Sequence, residues 1–276
     1  MKKIIKLLTV MVILTALFGC SAKSTEEESL LDKIKAAGVL KVAVSPDFAP
    51  MEFIDASQAD QAQYVGFDIA LAQYIADELG VELYIDAMDF SSCQAAVSTG
   101  TVDISISGYA YTDERAENYT LSDPYYADDS DEQGILILAA NADSLKTAED
   151  FAGKSISAQN ASLQWNLLTE QLPDAEANPI VDLNTAVLEL INGKVDGLCV
   201  AVTNGESFIQ NYPQLALSDY KFDVESDGNV ILMPKGEDEL AAEINTILAK
   251  AQAAGNYETW YTDAVELAKS LGQISE

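Results

Sequence analysis

The chain holds one arginine, Arg115, among its 276 residues. It follows Thr112, Asp113 and Glu114, at the start of a predicted short helix just past a strand end. A guanidinium there can hold a carboxylate through two parallel charge-assisted hydrogen bonds. The same spacing suits an ion pair with Asp113, Glu114 or Glu117, and the residues alone leave both readings open. Ser162 opens a second predicted helix, with Leu163 directly behind it. The orphan N–H groups and the dipole of such a helix end make a seat for a carboxylate, although Ser162 also fits an ordinary N-cap. Histidine is absent, so the commonest general base and metal ligand is missing. No compact pairing of nucleophile and base stands in for it. We therefore expect no catalytic residue, no metal and no cofactor.

Strands and helices alternate along the chain. Strands are predicted at 40–44, 81–85, 103–107, 134–139, 154–158, 195–200 and 230–233, from apolar runs and period-two alternation. Helices are predicted at 67–79, 91–98, 147–151, 184–191, 238–254 and 257–271, and from Ser162 toward Pro173. On 67–79 the apolar face is Ile69, Ala72, Ala76 and Leu79. This alternation argues for parallel sheets of βαβ units, an α/β fold. One internal echo stands out. Gly100-Thr101-Val102-Asp103 and Gly193-Lys194-Val195-Asp196 each end a helix at glycine and open a strand with Val-Asp. Two similar α/β lobes follow from it, and open α/β sheets bind ligands beyond the carboxyl ends of their strands. Cys93, after a helix-capping Ser91-Ser92 pair, and Cys199, in an apolar run, read as buried small hydrophobes. In different lobes they would not bridge.

The formal charge is −30. Residues 1–19 carry three lysines and no acid, which leaves 12 basic against 45 acidic residues beyond them. That field repels nucleic acid and anionic lipid, and it suits a well-solvated secreted surface. Lys2, Lys3 and Lys6 precede an apolar run to Phe18 that is too short to span a bilayer comfortably but fits an export signal. Leu17-Phe18-Gly19-Cys20 resembles a bacterial lipobox, with Phe18 bulkier than usual. The resemblance implies cleavage before Cys20 and acylation of its thiol, giving attachment to the outer face of the cell membrane without spanning it. Polar residues 20–29 read as a flexible tether.

Three stretches carry a family resemblance: LKVAVSPDFAPMEFI from Leu40, VGFDIALA from Val65 and SGYAYTDERAENYTLSDPYY from Ser107. They resemble the family 3 solute-binding proteins, the polar amino-acid receptors of ABC importers, over about residues 30–271. The resemblance implies a two-lobed periplasmic-binding-protein fold of type II. Lobe 1 would be 30–128 plus 224–276 and lobe 2 would be 129–223, with a hinge near 128–131 and 223–228. It implies a monomer that hands an amino acid or small carboxylate to a permease. It assigns Arg115 to the ligand carboxylate. Ser107, Gly108 and Ala110 would offer mainly main-chain contacts, and Ser162 and Leu163 a lobe 2 helix end. Phe48 and Phe90 would flank the ligand. Two positions depart from the family pattern. The lobe 2 acid that grips the ligand ammonium is here Ala201, and a frequent first-loop acid is Ser45. A buried ammonium needs a counter-charge, so either Asp47, Glu52 or Asn204 substitutes, or the ligand is not a standard α-amino acid. The same scaffold also carries dehydratases acting on prephenate-like acids, which gives an enzymatic alternative. A sensory ectodomain is a third reading; it expects a kinase domain or a second membrane span, and neither follows residue 271.

Overall fold

The computed structural model describes residues 28–126, 132–224 and 228–274. Cys20, residues 128–131 of the expected hinge and 225–227 of its second segment lie outside the described residues. The chain starts with α1 (Leu30–Ala37), β1 (Val39–Val44), a small hairpin of β2 (Phe53–Ile54) and β3 (Tyr64–Val65), and α2 (Phe67–Leu79). Then come β4 (Glu82–Ala87), α3 (Phe90–Thr99), β5 (Ile104–Ser105), α4 (Asp113–Asn118) and β6 (Thr120–Leu121). The second series is β7 (Gln133–Leu138), β8 (Ser155–Gln159), α5 (Leu163–Gln171), β9 (Glu176–Ile180) and α6 (Leu183–Ile191). It closes with β10 (Gly197–Ala201), α7 (Val202–Asn211) and β11 (Leu215–Lys221), and β12 (Leu232–Met233), α8 (Asp238–Ala253) and α9 (Asn256–Ser270) follow.

These strands form two five-stranded sheets, ordered β4-β1-β5-β12-β6 and β11-β7-β10-β8-β9. The chain therefore leaves the first sheet after β6, builds the second, and returns to insert β12 into the first. Each sheet with its helices is one lobe. The sheets are not wholly parallel as expected: β12 runs antiparallel to β5 and β6, and β7 antiparallel to β10 and β11. The reversals occur where the chain passes between lobes, which local alternation cannot report.

Each lobe has its own core. On one face of the first sheet, Leu71 and Ile75 of α2 meet Leu240, Ile244 and Ile247 of α8, all essentially inaccessible to solvent. Each such side chain contributes roughly 1.5–3 kcal/mol on leaving water. The buried side of α2 includes Phe67, Asp68, Leu71 and Ile75 as well as Ala72, Ala76 and Leu79. In the second lobe, Ile135, Phe151, Ile156 and Leu168 form a core on one face of the sheet, and Leu136, Leu190, Leu198 and Phe208 on the other. Cys93 and Cys199 are free, buried and in separate cores. The cap of α3 is Asp89, which accepts from the Ser92 N–H and from both the Ser91 and Ser92 hydroxyls.

The echo seen in the sequence has a common geometry. Gly100 and Gly193 both adopt left-handed φ, +68° and +67°. Asp103 then accepts from the Lys41 N–H at 2.8 Å, and Asp196 from the Ser155 N–H at 3.0 Å. In each lobe an aspartate thus staples the helix-to-strand turn to the start of the neighbouring parallel strand.

Candidate functional site

The carboxyl ends of the parallel strands in both lobes point at one interlobe cleft. Ser45 and Asp47 follow β1, Phe90 follows β4 and Ser107 follows β5; Gln159 ends β8, Leu183 follows β9 and Ala201 ends β10. The cleft encloses two contiguous cavities. The larger, about 410 Å3, is lined by Phe48, Phe90, Gly108, Ala110, Arg115 and Leu163 among others. The smaller, about 50 Å3, is lined by Asp47, Glu52, Ser107 and Ser162, and by Phe48, Phe90 and Gly108 again. All ten ligand-contact residues expected from the sequence therefore meet around one space.

Arg115 is held by its helix. The Thr112 hydroxyl caps α4 by accepting from the Arg115 N–H at 3.1 Å, which fixes where the side chain leaves the backbone. The guanidinium is 6 % exposed and lies over the Tyr109 and Phe90 rings, 5.4 and 5.9 Å from their centroids. It donates to the carbonyl of Ala110, and across the cleft to that of Ala161 at 3.2 Å. Burial lowers its pKa from the ordinary value, but arginine stays charged in proteins. Two of its five N–H donors go to these carbonyls, and others remain for a carboxylate. Ala161 has a positive φ of +59°, uncommon for a residue with a Cβ. Its carbonyl also accepts from the Gln94 amide at 3.1 Å.

The loop under the ligand space is fixed from below. Gly108 has φ +58°, and a Cβ there would sit 3.1 Å from the Phe48 ring, so glycine is required on both counts. Its N–H donates to Asp68 Oδ2 at 2.9 Å, and the Tyr125 hydroxyl donates to the same carboxylate. The Ser107 hydroxyl donates to Glu52 Oε1 at 2.6 Å and accepts from the Ser45 N–H at 3.0 Å. Burial drives the Glu52 pKa well above the usual carboxylate range, with the Asp68 and Asp47 charges adding to it. Burial also raises Asp68, while the Gly108 N–H and Tyr125 hydroxyl oppose that rise. Glu52 Oε2 meets no donor, which fits a carboxyl that keeps its own proton against Asp68. Glu52 thus braces Ser107, with burial and the neighbouring Asp68 favouring its protonated form.

Asp47 is tied to the opposite lobe. Its Oδ1 accepts from the Ser45 hydroxyl at 3.0 Å. Its Oδ2 accepts from the Gln159 side chain at 3.1 Å and from the Leu183 N–H at 3.0 Å, both in the opposite lobe. Burial pushes its pKa up to about 6. On the lobe 2 side, the Ser162 hydroxyl caps α5 by accepting from the Trp165 N–H at 3.1 Å. Ala201 is the N-cap of α7, without a side-chain cap bond, and lines both cavities. Asn204, one turn on, is 7 % exposed; its Oδ1 is buried without a partner and its amide nitrogen lies 3.5 Å from the Ala49 carbonyl. The rim adds Asn166 to Glu114 at 3.2 Å and Asn211 to the Gln273 carbonyl at 3.0 Å. The lobes are closed on one another.

The residues missed in the sequence are Gln133 and Gln164, joined at 2.8 Å, with Gln159, Asp68 and Tyr125. Asp68 and Tyr125 fall inside the stretches that carry the family resemblance, and Gln164 stands two positions after the Ser162 cap; Gln133 and Gln159 carried no local sign. Among the described residues, no cluster of three or more His, Cys, Asp or Glu could hold a metal, and no helix is long and apolar enough to cross a membrane.

The model of the bacterial extracellular solute-binding proteins, family 3, matches residues 40–264. The chain belongs to this family. A probable histidine-binding protein of Campylobacter jejuni is 28% identical over 90% of this chain and 94% of its own. The crystal structure of an amino-acid ABC transporter substrate-binding protein from Streptococcus pneumoniae, bound to L-arginine, superposes with a TM-score of 0.79. That protein is 29% identical, over 89% of this chain and all of its own. Likeness to a cyclohexadienyl dehydratase of Pseudomonas aeruginosa, 32% identical, spans 39% of each chain. The full-length relatives are binding proteins, and the family 3 member described here is a solute-binding protein with an interlobe ligand space.

Proposed function

We propose that this family 3 protein captures an amino acid or a related small carboxylate between its lobes and delivers it to the permease of an ABC importer. It acts as a monomer at the outer face of the cell membrane, held there by acyl chains on Cys20. One observation carries the reading. The sole arginine is buried and stacked on two aromatic rings at an enclosed cavity, with donors left over for a carboxylate. Lobe 1 spans 30–128 plus 224–276 and lobe 2 spans 129–223, and rotation about 128–131 and 223–228 opens the cleft. The ligand carboxylate meets Arg115 and the Ser162–Leu163 end of α5. Phe48 and Phe90 flank the ligand, and Ser107, Gly108 and Ala110 offer main-chain groups. Full-length likeness to amino-acid-binding proteins supports this over the dehydratase reading.

A thermal-shift screen of L-amino acids and small carboxylates tests it, followed by calorimetry of each hit on wild type and Arg115→Ala. The variant is expected to fold and to lose about 3–5 kcal/mol of binding, the cost of deleting one partner of a buried charge pair. Unchanged affinity refutes the carboxylate seat. Conversion of a carboxylate during the incubation refutes the receptor reading in favour of an enzyme.

A further inference from the structure

Two acids line the deep 50 Å3 cavity, and neither is free for a ligand. Glu52 gives one oxygen to the Ser107 hydroxyl and is buried next to Asp68. Asp47 is the more informative case. Its carboxylate reaches across the cleft to the Leu183 N–H, the first residue of α6. The N-cap of α6, Asp182, accepts from Thr185 instead. The first turn of a helix leaves donors that need partners from elsewhere, and a carboxylate is favoured at that end by the dipole. Asp47 supplies such a partner from the opposite lobe. The Gln159 amide, 7 % exposed at the end of β8, donates to the same oxygen. Gln159 therefore spans the end of the deep cavity and holds its only other carboxylate.

We propose that the Asp47–Gln159–Leu183 bridge makes this end of the cleft short and occupies the acceptor oxygens of Asp47, so that this receptor selects amino acids with short uncharged side chains and rejects cationic ones such as arginine. The inference rests on the amino-acid-receptor reading and names its substrate class. A cationic side chain that takes Asp47 for itself competes with the bridge, which leaves the Leu183 N–H without its acceptor and the Gln159 amide with only the longer bond to the Val181 carbonyl at 3.4 Å. A volume of about 50 Å3 also holds only a few waters, at ~10–15 Å3 each, and the stem and head of arginine exceed it. The larger cavity gives no refuge. Among its described lining residues no carboxylate occurs, and the charged groups are Arg115 and Lys269. Groups that bear on the charge of Asp47 are Asp182 from α6 and Glu52 from its own lobe. Neither is a cation that could be displaced to free it.

The test uses L-serine, L-alanine, L-arginine and L-lysine as probes in calorimetry of the mature chain. Wild type is expected to bind L-serine or L-alanine at least tenfold more tightly than L-arginine. Gln159→Ala removes the amide that holds Asp47 and opens space beside it. It should raise L-arginine or L-lysine affinity at least tenfold relative to L-serine, and adding Asp47→Asn should cancel that gain. Equal or tighter binding of L-arginine by wild type overturns the proposal, as does an unchanged ratio in Gln159→Ala. A second arm needs no ligand. Melting temperatures of wild type, Asp47→Asn, Gln159→Ala and the double variant should depart from additivity by about 2 °C or more. If none of the four amino acids binds, the specificity proposed here is overturned, while the receptor reading stands or falls on the wider screen of amino acids and carboxylates; additive melting shifts overturn the bridge.

Discussion

At the scale of single residues, the site keeps one cation available and buries its acids among their own partners. Arg115 lies over two rings and donates to backbone carbonyls, and Glu114 is the neighbouring acid that favours its charge. Its charge is therefore available. The acids beneath it are arranged in the opposite way. Glu52 and Asp68 lie buried together, and a shared burial penalty keeps a proton on the pair near neutral pH. The consequence can be measured. Asp68 titrates near 7 in the folded chain and near 4 when unfolded. A folded-state pKa raised above the unfolded one means that the native form binds the extra proton between about pH 4 and pH 7. Stability from this group is then largest at the acid end and falls as pH rises through that window, by up to about 1.4 kcal/mol per unit. Urea titrations from pH 4.5 to pH 7.5 should show Asp68→Asn gaining on wild type as pH rises. A constant difference across the range would mean that Asp68 is ionised throughout.

At the scale of elements, the caps and turns set the direction of the functional groups. Thr112 caps α4 through the N–H of Arg115 itself, and Ser162 caps α5 at the mouth of the cleft. The paired staples of Asp103 and Asp196 hold equivalent helix-to-strand turns in the two lobes. Because the bonds are alike, Asp103→Ala and Asp196→Ala should each cost about 0.5–2 kcal/mol in chemical denaturation, within about 1 kcal/mol of each other. A loss confined to one lobe would show that the echo is one of spelling and not of mechanics. Elements without a sequence signal have physical reasons for their silence. The strand β9 contains Pro179, which reads as a breaker, yet β9 is the edge of its sheet where a missing N–H is tolerated. The helix α7 contains Gly205, which also reads as a breaker. A Cβ there would come within 2.9 Å of Leu217 and 3.0 Å of Val200, so glycine lets the helix lie close on β10 and β11.

At the scale of the whole molecule, function depends on the contacts between the lobes, and the proposed anchor would add an attachment to the membrane. Bonds from Arg115, Gln94, Asp47 and Asn211 cross the cleft, and a closed state is favoured only by contacts the open state lacks. The proposed membrane attachment is through Cys20. Intact-mass measurement of detergent-extracted protein should show a mature chain that begins at Cys20 and carries lipid, and Cys20→Ser should release the protein to the medium. A wild-type mature form that starts elsewhere and stays soluble refutes the anchor.

The sequence by itself determined the alternation of strands and helices, the family and the ten residues that meet around the cleft. These are local properties: apolar period, turn residues and short motifs act within a few positions of each other. It also held the echo of Val-Asp turns, because each lobe repeats one local design. Tertiary structure alone decided the rest. Asp47 and Gln159 stand 112 positions apart, and Asp47 and Leu183 stand 136 apart, so no local pattern announces that they meet. The protonated form of Glu52 is favoured because α2 brings Asp68 beneath it and burial removes the water that would stabilise two charges. The antiparallel strands β7 and β12 follow from a chain that crosses between lobes and returns, and the expectation of wholly parallel sheets failed there for that reason. Types and spacings name the groups that can act, but which of them keeps a free charge is settled by the neighbours that folding places against it.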